Sequence, residues 1–210
     1  MKMVERYRGV LSWFEENMPI AESELIYKSP YELLVAVILS AQCTDKRVNE
    51  VTPPFFKRFP TAETLSAATQ EEVFKYINSV SYPNNKSRHL VAMAKMLAEE
   101  FNSVVPDNVE DLQKLPGVGR KSANVVASVI YNKPVIAVDT HVFRVARRIG
   151  LSKGETPLAV ELDLTANIPE NRRAIAHHWL ILHGRYICVA RKPKCSDCGF
   201  RNFCAEYSIR

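Results

Sequence analysis

Residues 115–121 read Leu115-Pro116-Gly117-Val118-Gly119-Arg120-Lys121 and open directly into an apolar helical run, Ser122 to Tyr131. Glycine adopts positive φ at little cost, so Gly117 and Gly119 beside a proline predict a tight turn. A turn that ends at a helix start presents free backbone N–H groups, and the helix dipole there favours an anion. A sugar-phosphate backbone suits such a grip, which makes Gly117, Val118, Gly119 and Arg120 candidate DNA contacts. Lys121 stands at the same helix start, where a cation is disfavoured, so its ammonium is expected to release a proton more readily than an exposed lysine. A neutral amine beside DNA is a nucleophile. Taken alone, Lys121 reads first as a solvated or phosphate-contacting lysine.

Outward from this hairpin, apolar residues recur at helical spacing: Tyr7, Val10, Leu11, Phe14; Tyr31, Leu34, Val35, Ile38; Val73, Tyr76, Ile77, Val80; Leu90, Ala94, Leu97, Phe101. No comparable alternation predicts strands, and the β-branched run Val135 to Val138 is too short and isolated for a sheet. The predicted class is all-α. Pro30 precedes one helix, Asn132-Lys133-Pro134 stops the Lys121 helix, and Arg147-Arg148-Ile149-Gly150 has the basic last turn and glycine of a helix end. Pro53-Pro54 should break or restart the helix that begins near Asp45. Trp179 and Tyr186 are expected in the core.

The chain has 210 residues, 47% of them hydrophobic, enough for one large domain or two small ones. Its formal charge of +5 permits a polyanionic partner without requiring one. Met1 to Met18 carries Glu5, Glu15 and Glu16 and has no signal core, and the longest apolar stretch, Leu33 to Leu39, is too short to span a bilayer. A cytoplasmic protein with no membrane partner is expected. Of five cysteines, Cys43 stands alone, whereas Cys188, Cys195, Cys198 and Cys204 form a C-x6-C-x2-C-x5-C pattern. Without export, metal ligation is favoured over disulfides, and four thiolates suit zinc or an iron-sulfur cluster alike. Arg191, Lys192 and Lys194, between the first two cysteines, would face phosphate or else offset the negative charge of thiolates. The five histidines show no zinc-binding spacing and none is assigned to catalysis.

Asp139 follows Pro134 to Val138 and precedes Thr140-His141-Val142-Phe143, the position of a helix N-cap. Paired with Lys121 it suggests more. Departure of a base leaves an oxocarbenium-like sugar, which a fixed carboxylate can stabilise while an amine forms a Schiff base with C1′. Lowering a lysine from about 10.4 to 7 or 8 takes roughly 3–5 kcal/mol, more than a helix dipole supplies, so desolvation or Arg120 must contribute.

These blocks resemble the endonuclease III family of DNA glycosylases with the helix-hairpin-helix motif. The resemblance runs from Ser29-Pro30-Tyr31-Glu32-Leu33-Leu34 and Leu39-Ser40-Ala41-Gln42, through Leu115 to Lys121 with Ala123-Asn124-Val125-Val126, to Ala137-Val138-Asp139-Thr140-His141 and His178-Trp179-Leu180-Ile181-Leu182-His183-Gly184-Arg185-Tyr186. It implies that Lys121 is the Schiff-base lysine, Asp139 the essential aspartate, and the four cysteines the ligands of a 4Fe-4S cluster. The implied activity is bifunctional: excision of oxidised pyrimidines, then β-elimination at the abasic site in double-stranded DNA, by a monomer. The implied fold is two-lobed, with a helical domain over about 22–132 containing the motif at about 108–131. Residues 1–21 with 133–210 would form the second lobe, carrying the cluster loop at 188–204, and Lys121 and Asp139 would face each other across the cleft.

A glycosylase must extrude its base and fill the gap. Gln42 matches the family's plug, or else is a helix-terminal glutamine bonding its own chain. Many members read Gly-Leu-Tyr where this chain has Ser81-Tyr82-Pro83, so Tyr82 would stack on bases in place of an aliphatic wedge or simply cover the core. Two other readings compete: a helix-hairpin-helix protein that only holds DNA, and a monofunctional mismatch glycosylase.

Overall fold

The computed structural model describes residues 1–209 and contains no strand among them. Two compact units form, one of Met1–Glu22 with Asn132–Arg210 and one of Ser23–Tyr131. The helices in chain order are α1 (Met3–Asn17), α2 (Pro30–Ser40), α3 (Asp45–Arg58), α4 (Ala62–Ser66), α5 (Gln70–Ile77), α6 (Pro83–Glu100), α7 (Val109–Leu112), α8 (Arg120–Tyr131), α9 (Thr140–Ile149), α10 (Pro157–Asn167) and α11 (Arg173–Tyr186). No helix is long and apolar enough to cross a membrane among the described residues.

In the Ser23–Tyr131 unit, α2 is apolar on every face because it lies in the centre: Leu33, Leu34, Val35, Ala36 and Leu39 are wholly buried. Its start is set by Ser29, whose Oγ accepts from Glu32 N at 3.2 Å, and by Pro30 at the first helical position. Helices α3, α6 and α8 pack on it. The doublet Pro53-Pro54 neither breaks nor restarts α3, which runs through both residues. Val48, Val51, Thr52 and Phe55 bury one face, while both prolines lie on the exposed face. There the carbonyls that lose N–H partners can be hydrated, so burial outweighs a cost of about 3 kcal/mol per interior proline.

The other unit gathers α1, α9, α10 and α11 around an aromatic centre. Phe14 stacks on Trp179 at 5.5 Å between ring centroids, and Phe200 from the cysteine-rich segment approaches Phe14 at 5.1 Å. Trp179 is core as expected, with Nε1 donating to Met18 O at 2.7 Å. Tyr186 is not: it ends α11 and is 53% exposed. Helical spacing places it one turn beyond the buried pair Trp179 and His183, where the inward face of α11 has run out.

Candidate functional site

The hairpin is built by local rules. Leu115 O accepts from Val118 N at 3.0 Å, with Pro116 second and Gly117 third at φ +85°, which defines a type II turn. Only glycine fits the third place: φ is left-handed, and an added Cβ would lie 2.9 Å from His89 Cβ on α6. Gly119, expected to share that conformation, has ordinary φ, and a Cβ there would meet nothing within 4 Å. The Val118 side chain is 6% exposed and its N–H is used inside the turn. It anchors the hairpin, leaving Gly117, Gly119 and Arg120 as the exposed members. Lys121 follows in the first turn of α8, at an exposed position of the helix.

Asp139 caps α9. Its Oδ1 accepts from His141 N at 2.9 Å and Val142 N at 2.8 Å, and its Oδ2 lies 3.1 Å from His141 Nδ1. Three contacts give this carboxylate one orientation. The strand-like lead-in is pinned as well, since His177 Nδ1, on α11, meets Ala137 O at 2.8 Å. Sequence reading assigned no role to either histidine. Their placement in Asp-Thr-His and beside the His178-Trp179 block was the available signal.

Gln42 and Tyr82 are brought together. Both are exposed, both have left-handed backbones (φ 55° and 54°), and Ser81 Oγ donates to Gln42 O at 2.6 Å. Tyr82 is 61% exposed, so it does not cover the core. Lys86, which the sequence did not single out, donates from Nζ to Leu39 O and Ala41 O, each at 2.7 Å.

The four C-terminal cysteines form no disulfide, are half-buried, and line one cavity with His183, Phe200 and Tyr207. Burial, and then the charge of neighbouring Cys204, Cys188 and Cys195, push the Cys198 thiol up to about 11. Burial also raises Cys204. A cation or cluster is what reverses such a shift. No three His, Cys, Asp or Glu donors among the described residues converge on a point for a single ion. Four thiols lining one cavity are a donor set that fits an iron-sulfur cluster. Arg191, Lys192 and Lys194 are exposed on the loop between the first two thiols. Two arginines one turn apart on α9 fasten that loop: Arg144 donates to Cys188 O (3.2 Å) and Gly184 O (2.8 Å), and Arg148 to Val189 O (2.8 Å) and Ala190 O (3.0 Å).

A glycine hairpin that opens a helix, a lysine in the first turn of that helix and a four-thiol loop place the chain in the class of helix-hairpin-helix DNA repair proteins. In agreement, residues 35–170 match the HhH-GPD superfamily of base excision DNA repair proteins, and residues 188–204 match the iron-sulfur binding domain of endonuclease III. The chain is 48% identical to endonuclease III of Rickettsia felis over 195 residues, covering 93% of this chain and 92% of that one. With endonuclease III of Escherichia coli K12 it shares 43% identity over 201 residues, 94% and 93% of the two chains. A solved trapped endonuclease III–DNA covalent intermediate, an estranged-adenine complex, superposes with a TM-score of 0.94 at 41% identity over 100% of this chain and 99% of that one. The chain belongs to the endonuclease III family, the bifunctional DNA glycosylase and abasic-site lyases of base excision repair. Its partner is DNA, and its cofactor is the family's 4Fe-4S cluster, which thiolates of the cysteine-rich loop would hold.

Proposed function

We propose that this enzyme removes oxidised pyrimidines with Lys121 as nucleophile and Asp139 as its charged partner. Lys121 Nζ bonds to C1′ as the C1′–N bond to the base breaks. Asp139 steadies the positive charge on the sugar and accepts a proton from the amine. The base leaves with the bonding electron pair and takes a proton from water; Asp139 hands its proton to O4′ as the ring opens to the Schiff base, and water then takes a C2′ proton while the C3′–O bond breaks and the 3′ phosphate leaves with that electron pair. Water returns the amine. The observation that carries this reading is the exposed position of Lys121 in the first turn after the type II turn, where bound DNA would both deliver the sugar and exclude water.

In this reading the two compact units are the two lobes, one supplying Lys121 and the other Asp139. Gly117, Gly119 and Arg120 hold one phosphate strand, and Arg191, Lys192 and Lys194 another, beside cluster ligands Cys188, Cys195, Cys198 and Cys204. Gln42 and Tyr82 fill the gap behind the extruded base. The enzyme acts as a cytoplasmic monomer, which light scattering with and without duplex checks. The deciding experiment is borohydride trapping on duplexes carrying thymine glycol or an abasic site. A covalent adduct is expected with the unaltered enzyme and none with Lys121→Gln; an equal adduct from Lys121→Gln overturns the assignment.

A further inference from the structure

The end of α2 shows an unusual division of labour. Six successive carbonyls there have donors. Val37 O, Ile38 O and Ser40 O are satisfied by their own segment, from Ser40 Oγ (2.8 Å), Ala41 N (3.4 Å) and Cys43 N (3.0 Å). Leu39 O, Ala41 O and Gln42 O receive donors from residues 81–86 instead: Lys86 Nζ for the first two and Ser81 Oγ for the third. The same short segment carries Tyr82 as N-cap of α6, and Lys86 N donates back to Tyr82 O at 3.1 Å.

We propose that Lys86 is a positioning residue for duplex invasion, holding the Gln42 turn and the Tyr82 turn at fixed spacing so that both enter the DNA as one rigid tool. This rests on the reading of Gln42 and Tyr82 as gap-filling residues. A lysine serving DNA directly would expose its ammonium, whereas Lys86 is 5% exposed and both carbonyls it meets lie at the C-terminal, negative end of a helix. A lysine serving packing alone would not need its charge, since a methionine of similar length fills such space. The charge is needed by the two carbonyls: without it Leu39 O is left unsatisfied in the interior, and Ala41 O loses its donor at the half-buried edge. Left-handed φ at a glutamine and a tyrosine is costly and persists where surrounding bonds over-determine it. The ties from Lys86 and Ser81 are those bonds, and they leave the two side chains projecting.

The test uses cluster-loaded enzyme and a duplex with 2-aminopurine beside a thymine glycol, whose fluorescence reports unstacking. A single-stranded abasic oligonucleotide, in which no gap has to be filled, serves as comparison. Lys86→Met that keeps the cluster absorbance is expected to slow unstacking and excision in the duplex by about 10- to 100-fold. Its cleavage of the single strand should fall by no more than about twofold. Duplex rates within about twofold of the unaltered enzyme, or equal losses on both substrates, overturn the proposal. If Lys86→Met does not keep its cluster, Ser81→Ala, at a half-buried position, decides. A duplex-only loss of about threefold supports the coupling, and no loss overturns it. The doubly altered Gln42→Ala, Tyr82→Ala separates the two ideas. Normal unstacking by it removes the gap-filling reading and this proposal together, while slow unstacking by it with normal Lys86→Met and Ser81→Ala removes this proposal alone.

Discussion

Asp139→Asn separates the two tasks of one carboxylate. Oδ1 receives the N–H groups of His141 and Val142, and an asparagine oxygen can accept both, because asparagine caps helices about as well as aspartate. What asparagine lacks is charge, both toward the helix dipole and at Oδ2, which faces His141 Nδ1. Loss of the charge–dipole attraction costs about 0.3–1 kcal/mol, which in a chain of this length lowers Tm by only about 1–4 °C. The chemical consequence is much larger. A unit charge about 4 Å from a developing sugar cation, at an effective dielectric constant near 20, is worth about 4 kcal/mol, or roughly 10³-fold in rate. Single-turnover excision of thymine glycol should therefore fall by about two to three orders of magnitude while circular dichroism melting barely moves. Asp139→Ala should lose a similar amount of rate and about 1 kcal/mol more stability, because the cap goes too. Retention of rate within about threefold in Asp139→Asn would refute the reasoning. So would a rate loss matched by collapse of the melting transition, which would make the carboxylate structural.

Other consequences of the structure are as direct. Gly117→Ala must hold an alanine at φ +85° with its Cβ 2.9 Å from His89, so a destabilisation of at least about 1–2 kcal/mol is expected by denaturant titration. Gly119→Ala should leave stability unchanged yet weaken duplex binding, since its open side is where a backbone would approach; unaltered affinity would show that no close contact forms there. Burial holds His178 at about 4, below its ordinary 6.5, so the unfolded chain binds more protons between these values and stability falls as pH drops through that window. The full shift is worth about 3 kcal/mol, and His178→Phe should flatten that part of the stability–pH curve; an unchanged slope would contradict the burial argument. Cys204→Ser should lose the absorption near about 400 nm expected of the cluster, and stoichiometric zinc in the unaltered protein would refute the cofactor. Neutralising Arg191, Lys192 and Lys194 together should flatten the log–log salt dependence of binding by up to about 2.7, with no change if the loop does not meet phosphate.

What was legible in the sequence came from short-range chemistry. The apolar spacing of Tyr7, Val10, Leu11 and Phe14 marks α1, and those residues are its buried ones. Gly150 closes α9 in the left-handed conformation expected after Arg147-Arg148-Ile149. Pro116-Gly117 specifies its turn within four residues. Illegible features depended on distant partners. Pro53-Pro54 reads as a break until the buried face of α3 is known, and Tyr186 reads as core until α11 is seen to end in water.

By itself, then, the amino-acid order determined helix, turn, cap and ligand pattern, because each of these is decided by dihedral preference, hydrogen bonding or donor spacing over a few neighbouring residues. Only the tertiary structure decided that Val118 is an anchor, that Gly119 keeps ordinary backbone, that Oδ2 of Asp139 meets His141, and that Lys86 reaches across to the end of α2. The reason is physical: satisfying a buried carbonyl or orienting a carboxylate depends on what the packed chain brings within about 3 Å, and local preference does not specify that.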